Sequence, residues 1–75
     1  MMVKIAPYIT VNPKVRFGKP VIIGTRVPVD LVVGKIAAGL AVREVTKEYD
    51  LTREQVLAAL RYAADLVSQE EIALL

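Results

Sequence analysis

The side chains in this 75-residue chain that could do chemistry are few. With no histidine and no cysteine, it has no thiol nucleophile, histidine general base, zinc finger, disulfide or haem ligand. Carboxylates, lysines, tyrosines, four threonines and the single serine Ser68 remain. No hydroxyl has a base at an activating spacing, and the paired carboxylates Glu70 and Glu71 fall in an exposed end. The sequence therefore predicts a non-enzyme with no cofactor, metal or small-molecule substrate. Gly18-Lys19 and Gly24-Thr25 lack the order of a phosphate-binding loop, and Pro20 removes an amide donor where one would be needed.

The cations carry more information. Lys4, Lys14, Arg16, Lys19 and Arg26 occupy the first 29 residues without an acid among them, a charge of +5. The rest of the chain sets Lys35, Arg43, Lys47, Arg53 and Arg61 against eight acids, a charge of −3, which gives the net +2. A basic front joined to an acidic back suits nucleic-acid phosphates at one end and a basic partner at the other, or head-to-tail docking of copies. The four aromatics Tyr8, Phe17, Tyr49 and Tyr62 are too few to predict a base-stacking surface.

These groups must be positioned by a small scaffold. The length allows a single domain, residues 1–75, and the 55% hydrophobic content gives it a core. That content is high for so small an interior, so a homodimer is expected. No long uncharged apolar run marks a membrane span, and the expected location is the cytoplasm.

Tyr8 to Val11 and Val15 to Phe17 alternate between turn residues, Val21 to Ile23 is a brief apolar run closed by Gly24-Thr25, and Arg26-Val27 leads into Pro28, which predicts short β-strands over 8–27. Thereafter the apolar period becomes helical. Val29, Val32, Val33, Ile36, Ala37 and Leu40 form one stripe, with Pro28 at its start and Gly39 just past its end. A second helix is expected over about 42–49 with Val42, Val45 and Tyr49 inward. Thr52-Arg53-Glu54-Gln55 is a capping box that starts a third helix, with Val56, Leu57, Leu60, Ala63, Ala64 and Val67 as its predicted core stripe. The fold class is mainly α with a small β-region: a three-helix bundle over 28–67 behind short N-terminal strands. A helix-turn-helix at about 42–66 is followed by a tail over 68–75.

Two readings follow. In the first, the helix-turn-helix binds double-stranded DNA, with Lys14, Arg16, Lys19 and Arg26 holding the backbone as an arm and Arg43, Lys47, Thr52, Arg53 and Gln55 at the reading end. Gln55 has the groups to read adenine, and Arg53 to reach guanine or a phosphate. The acids of the segment weigh against strong binding by the motif alone, because the face opposite the predicted stripe collects Glu54, Gln55, Ala58, Tyr62, Asp65 and Gln69. In the second reading the chain is a protein-interaction module that never touches DNA. Leu31, Gly34 and Ala38 give the first helix a second apolar side suited to a dimer contact. Glu70, Glu71, Ile72, Leu74 and Leu75 make an acidic, apolar-tipped tail suited to folding back or meeting a partner.

The run Gly18-Lys19-Pro20-Val21-Ile22-Ile23-Gly24-Thr25-Arg26-Val27-Pro28-Val29 strongly resembles the bacterial and archaeal family known as domain of unknown function 433. The resemblance continues through Ala38-Gly39, Val42 to Tyr49, Leu51-Thr52 and Ala58 to Ala63, covering about residues 8 to 66. Departures are Val27 for a more usual isoleucine and a spacer before Leu51 without proline. The resemblance implies a dimeric, homeodomain-like fold and a role as a candidate antitoxin encoded beside a PIN-like nuclease toxin, binding both the toxin and its own promoter. On that model the basic front and the start of the third helix touch DNA, while the first helix's outer face and the strands form the dimer. The acidic tail meets the basic nuclease.

Overall fold

The computed structural model describes residues 2–71. Three short strands, β1 (Val3–Ala6), β2 (Ile9–Val11) and β3 (Val21–Ile22), form an antiparallel meander in that order. Three helices follow: α1 (Val29–Ala37), α2 (Val42–Tyr49) and α3 (Arg53–Ser68). The mainly helical class with a small β-region is as expected, with two corrections to the strand region. It begins earlier than residue 8, because Val3, Lys4 and Ala6 pair with β2. The predicted strand over Val15 to Phe17 is absent, and a tight turn, Arg16–Gly18, stands in its place.

Local chemistry accounts for the helix ends. Thr52 accepts from the Gln55 amide at 3.1 Å while Gln55 Oε1 accepts from the Thr52 amide at 2.8 Å, the reciprocal box expected from the sequence. Ala41 has no side-chain acceptor to offer, so α2 keeps half of such a box, Glu44 Oε1 accepting from the Ala41 amide at 2.9 Å. α1 ends at Gly39, whose φ of +108° turns the chain so that the Leu40 amide donates to the Lys35 carbonyl at 3.1 Å. Pro28 stands just before the first helical residue.

The core gathers Ile9 and Ile22 from the sheet with Val29, Val32, Val45, Val56 and Ala59 from the helices and Leu51 from the turn between α2 and α3. α1 and α2 both pack on α3, and β2 packs on it from another side. Burying each Val, Leu or Ile is worth roughly 1.5–3 kcal/mol, so a handful of such residues holds sheet and helices as one body. Among the described residues no helix is long and apolar enough to cross a membrane.

Candidate nucleic-acid interface

The turn from α2 to α3 takes three residues, Asp50 to Thr52. Asp50 is left-handed at φ +54°, buried Leu51 plugs the corner, and the Leu51 amide donates to the Thr46 carbonyl at 2.9 Å. The corner thereby aims the first turn of α3 outward. Arg43 and Arg53 line one concavity of about 260 Å³ there, with Val42, Thr46 and Leu51. Lys47 is exposed on α2. These cations sit beside the positive end of the α3 dipole, where unpaired amides favour an anion. Gln55 is half-buried with its oxygen committed to the cap, so reading adenine with both amide groups would compete with the start of the helix.

The outward face of α3 differs from the sequence expectation. Arg53, Glu54, Leu57, Arg61, Ala64 and Asp65 form it, with Leu57 only half-buried, while Val56, Ala58 and Ala59 are buried and Leu60, Tyr62 and Ala63 partly so. Relative to the predicted stripe the buried arc is turned by about 100°, one residue's step. The cause is the β1–β2 hairpin: its Ala6 and Pro7 share a small recess with Ala58, Arg61, Tyr62 and Asp65, so α3 is covered from a second side. Val67 is 63% exposed although placed inward by periodicity, and Ala58 is buried although placed outward. Periodicity therefore misses Arg61 as a candidate. The alternation of Val3, Lys4 and Ile5 is the signal that would have found the hairpin and with it the true face.

The basic front is built from two loops. In one, Thr25 Oγ1 donates to the Ile22 carbonyl at 2.8 Å and accepts from the Val27 amide at 3.0 Å, closing the segment that holds Arg26 out to solvent. In the other, Arg16, Phe17 and Gly18 all have positive φ, at 51°, 57° and 82°. The two non-glycine residues there cost of order 1–3 kcal/mol each. Arg16 Nε donates to the Arg26 carbonyl at 3.1 Å, so each loop holds the other. Lys19 pairs with Asp30 at 3.0 Å, which leaves Lys4, Lys14, Arg16 and Arg26 without a salt bridge among the described residues. Lys19 shares a groove with Leu66, thirteen residues beyond Arg53 on α3. At 1.5 Å per residue Leu66 lies about 20 Å along that helix from Arg53, and the groove wall of Tyr62, Ala63 and Leu66 is on the side of α3 opposite Arg53 and Arg61. One chain does not unite the two cationic groups in a single patch.

That groove, of about 530 Å³, runs between α1 and α3 and is almost wholly apolar, with Pro20, Val29, Val33, Tyr62, Ala63 and Leu66 among its walls. Of the residues expected at a dimer contact, Gly34 lines it. Leu31 instead lies half-buried beside Arg16, Pro28 and Asp30, and Ala38 is exposed at the end of α1. Lys35 reaches Glu48 of α2 at 3.7 Å. The nearby Tyr49 hydroxyl, and secondly the Glu48 carboxylate, hold the Lys35 ammonium above its ordinary pKa. Glu70 and Glu71 are exposed, whereas Ile72, Leu74 and Leu75 lie outside the described residues.

Comparison with known proteins adds a family and one solved relative. Residues 9–63 match the model of the family described as "Protein of unknown function (DUF433)". The crystal structure of Rv2018 from Mycobacterium tuberculosis is similar over 69% of this chain, with 33% identity and a TM-score of 0.64. The match takes in 24% of the Rv2018 chain, so this chain corresponds to a fraction of that protein's length. No curated protein gives a significant match.

Proposed function

The chain belongs to the DUF433 family of proteins of unknown function, and from its charge and helix geometry we propose that it binds double-stranded DNA as the autorepressing antitoxin of a toxin–antitoxin pair. The observation that carries the DNA half is the outward face of α3. Arg53 and Arg61 stand on it with Leu57 between them, and Arg43 adds a cation across the turn. Arginine forks suit guanine edges and phosphates, and Leu57 suits a thymine methyl. The acid-free front supplies further phosphate contacts at a distance. The antitoxin half rests on the family resemblance and on the acidic end of the chain, which complements a cationic RNA-binding cleft of a PIN-like nuclease. The site is non-catalytic in this reading, and the chain works in the cytoplasm as a homodimer.

The test is a titration of a duplex from the gene's own upstream region against a scrambled duplex, by fluorescence anisotropy at two or more salt concentrations. Preference for the native duplex with a salt slope worth roughly four to eight phosphates per dimer, at about 0.9 each, is the expected outcome. Weak and equal binding to both would overturn it. A second reading, a protein-interaction module without DNA, is favoured by the apolar α1–α3 groove and by exposed Leu66 and Val67. A patch of this kind on so small a domain suits an association surface. Self-association that is lost on replacing Leu66 by a charged residue, with no duplex binding in the unaltered protein, would select that reading.

A further inference from the structure

Phe17 is the most exposed large apolar side chain among the described residues, at 101%, with Val67 next at 63%. Nothing in its loop is slack enough to explain this. The Val15 amide donates to the Asn12 carbonyl at 2.8 Å, the Gly18 amide to Val15 at 3.2 Å and the Lys19 amide to Arg16 at 3.1 Å. Asn12 Oδ1 accepts from the Lys14 amide at 2.9 Å, and Arg16 is tied to Arg26. The left-handed φ angles of Arg16 and Phe17 form the tip of this hydrogen-bonded turn. The loop is a built support that holds an aromatic ring in water.

The surroundings of the ring decide what it is for. Lys14, Arg16 and Arg26 flank it as exposed cations, and the acid nearby, Asp30, is engaged by Lys19. A ligand for this tip must offer an aromatic or apolar slot bordered by anions. A DNA duplex has that composition: stacked bases between two rails of phosphate. We propose that the Arg16–Gly18 turn is a DNA finger, with Phe17 wedging between base pairs from the minor groove while Lys14, Arg16 and Arg26 hold the flanking phosphates. Apolar side chains inserted this way unstack a step and bend the duplex. The proposal rests on the DNA reading above and adds to it a second contact and a bend.

The experiment uses the full chain and one duplex of about 30 base pairs carrying the upstream sequence, long enough for two half-sites a helical turn apart, with a fluorophore at each end. It compares unaltered protein with Phe17→Ala and Phe17→Trp. Because the ring touches little, both variants should keep the unaltered melting curve. Phe17→Ala should bind roughly tenfold more weakly, with the same salt slope, because no cation is lost, and should bring the two duplex ends less close together. Phe17→Trp should restore affinity and bend. The chain has no tryptophan of its own, so quenching of the introduced indole's emission on binding reports stacking directly. If the unaltered protein binds no duplex, the DNA reading fails and takes the finger with it. If it binds and Phe17→Ala matches it in affinity and bend, the finger alone is wrong. Unquenched indole emission in the bound Phe17→Trp complex would also overturn the finger. If Phe17→Ala abolishes self-association while the resulting monomer keeps its duplex affinity, the ring serves a protein contact and the proposal falls.

Discussion

The helical half of the molecule and the basic front are built by opposite policies. In α1 to α3 most local choices agree with the global fold: a reciprocal cap at Thr52, a left-handed glycine after α1, and apolar residues facing the core, with left-handed Asp50 between α2 and α3 the exception. In the front, Tyr8, Arg16 and Phe17 adopt positive φ without being glycine, and an aromatic ring stands in solvent. Five cations share that segment with no acid. Real proteins break local rules mostly where a partner is to be met. The contrast therefore sets a locally regular half against a locally strained one within one small domain.

Several substitutions would break or sharpen that division. The largest effect is expected from Ile9→Ala, because Ile9 is the fully buried link between the sheet and the helices. A loss of about 3 kcal/mol is expected, enough to leave much of so small a domain unfolded, and urea denaturation followed by circular dichroism measures it. If the front then lost its fold while the helices kept theirs, the two halves would be independent and not one body. Next is the pair Arg53→Ala and Arg61→Ala on the outward face of α3. Together they should lower duplex affinity by about 2 kcal/mol while leaving the melting temperature almost unmoved, read by anisotropy and calorimetry. Unchanged affinity would mean that this face belongs to the scaffold.

Smaller effects probe the scaffold's own rules. Thr52→Ala removes the side-chain acceptor of the capping box and should cost about 1 kcal/mol, seen as a fall in Tm of roughly 4–8 °C. The smallest concerns Lys35, whose folded-state pKa lies above its ordinary value of 10.5 because of Tyr49 and Glu48. A raised pKa means that the protonated form binds better in the folded state. The contribution is thus complete below about pH 10 and is lost as pH rises through the folded-state value. Thermal melts from about pH 9 to about pH 12 should show a slightly steeper decline for the unaltered chain than for Lys35→Met, and equal declines would dissociate α1 from this tie to α2.

Legibility in the sequence follows the same division. Thr52 and Gln55, Pro28 and Gly39 act through bonds within a few residues, so spacing alone located all three helices. The rotation of α3 could not be read that way, because alanines and tyrosines suit either side of a helix and only the distant hairpin decides that Ala58 goes in and Leu57 comes outward. Val15-Arg16-Phe17 alternates like a strand, and its turn depends on the bond from Arg16 to Arg26, ten residues away. Among the candidate cations, Arg43 and Arg53 stand together because the short turn between their helices leaves them no other arrangement. The separation of that pair from Arg16 and Lys19 is a matter of helix length and packing, which charge counting does not contain.

Gly34 stands within α1 with an ordinary helical backbone, and a Cβ added there would meet nothing within 4 Å. A glycine codon reaches alanine, valine, arginine or an acid by one base change. Each such change would alter the depth or charge of the α1–α3 groove while leaving the fold's buried residues untouched. The groove can therefore diverge between gene copies faster than the core that carries it.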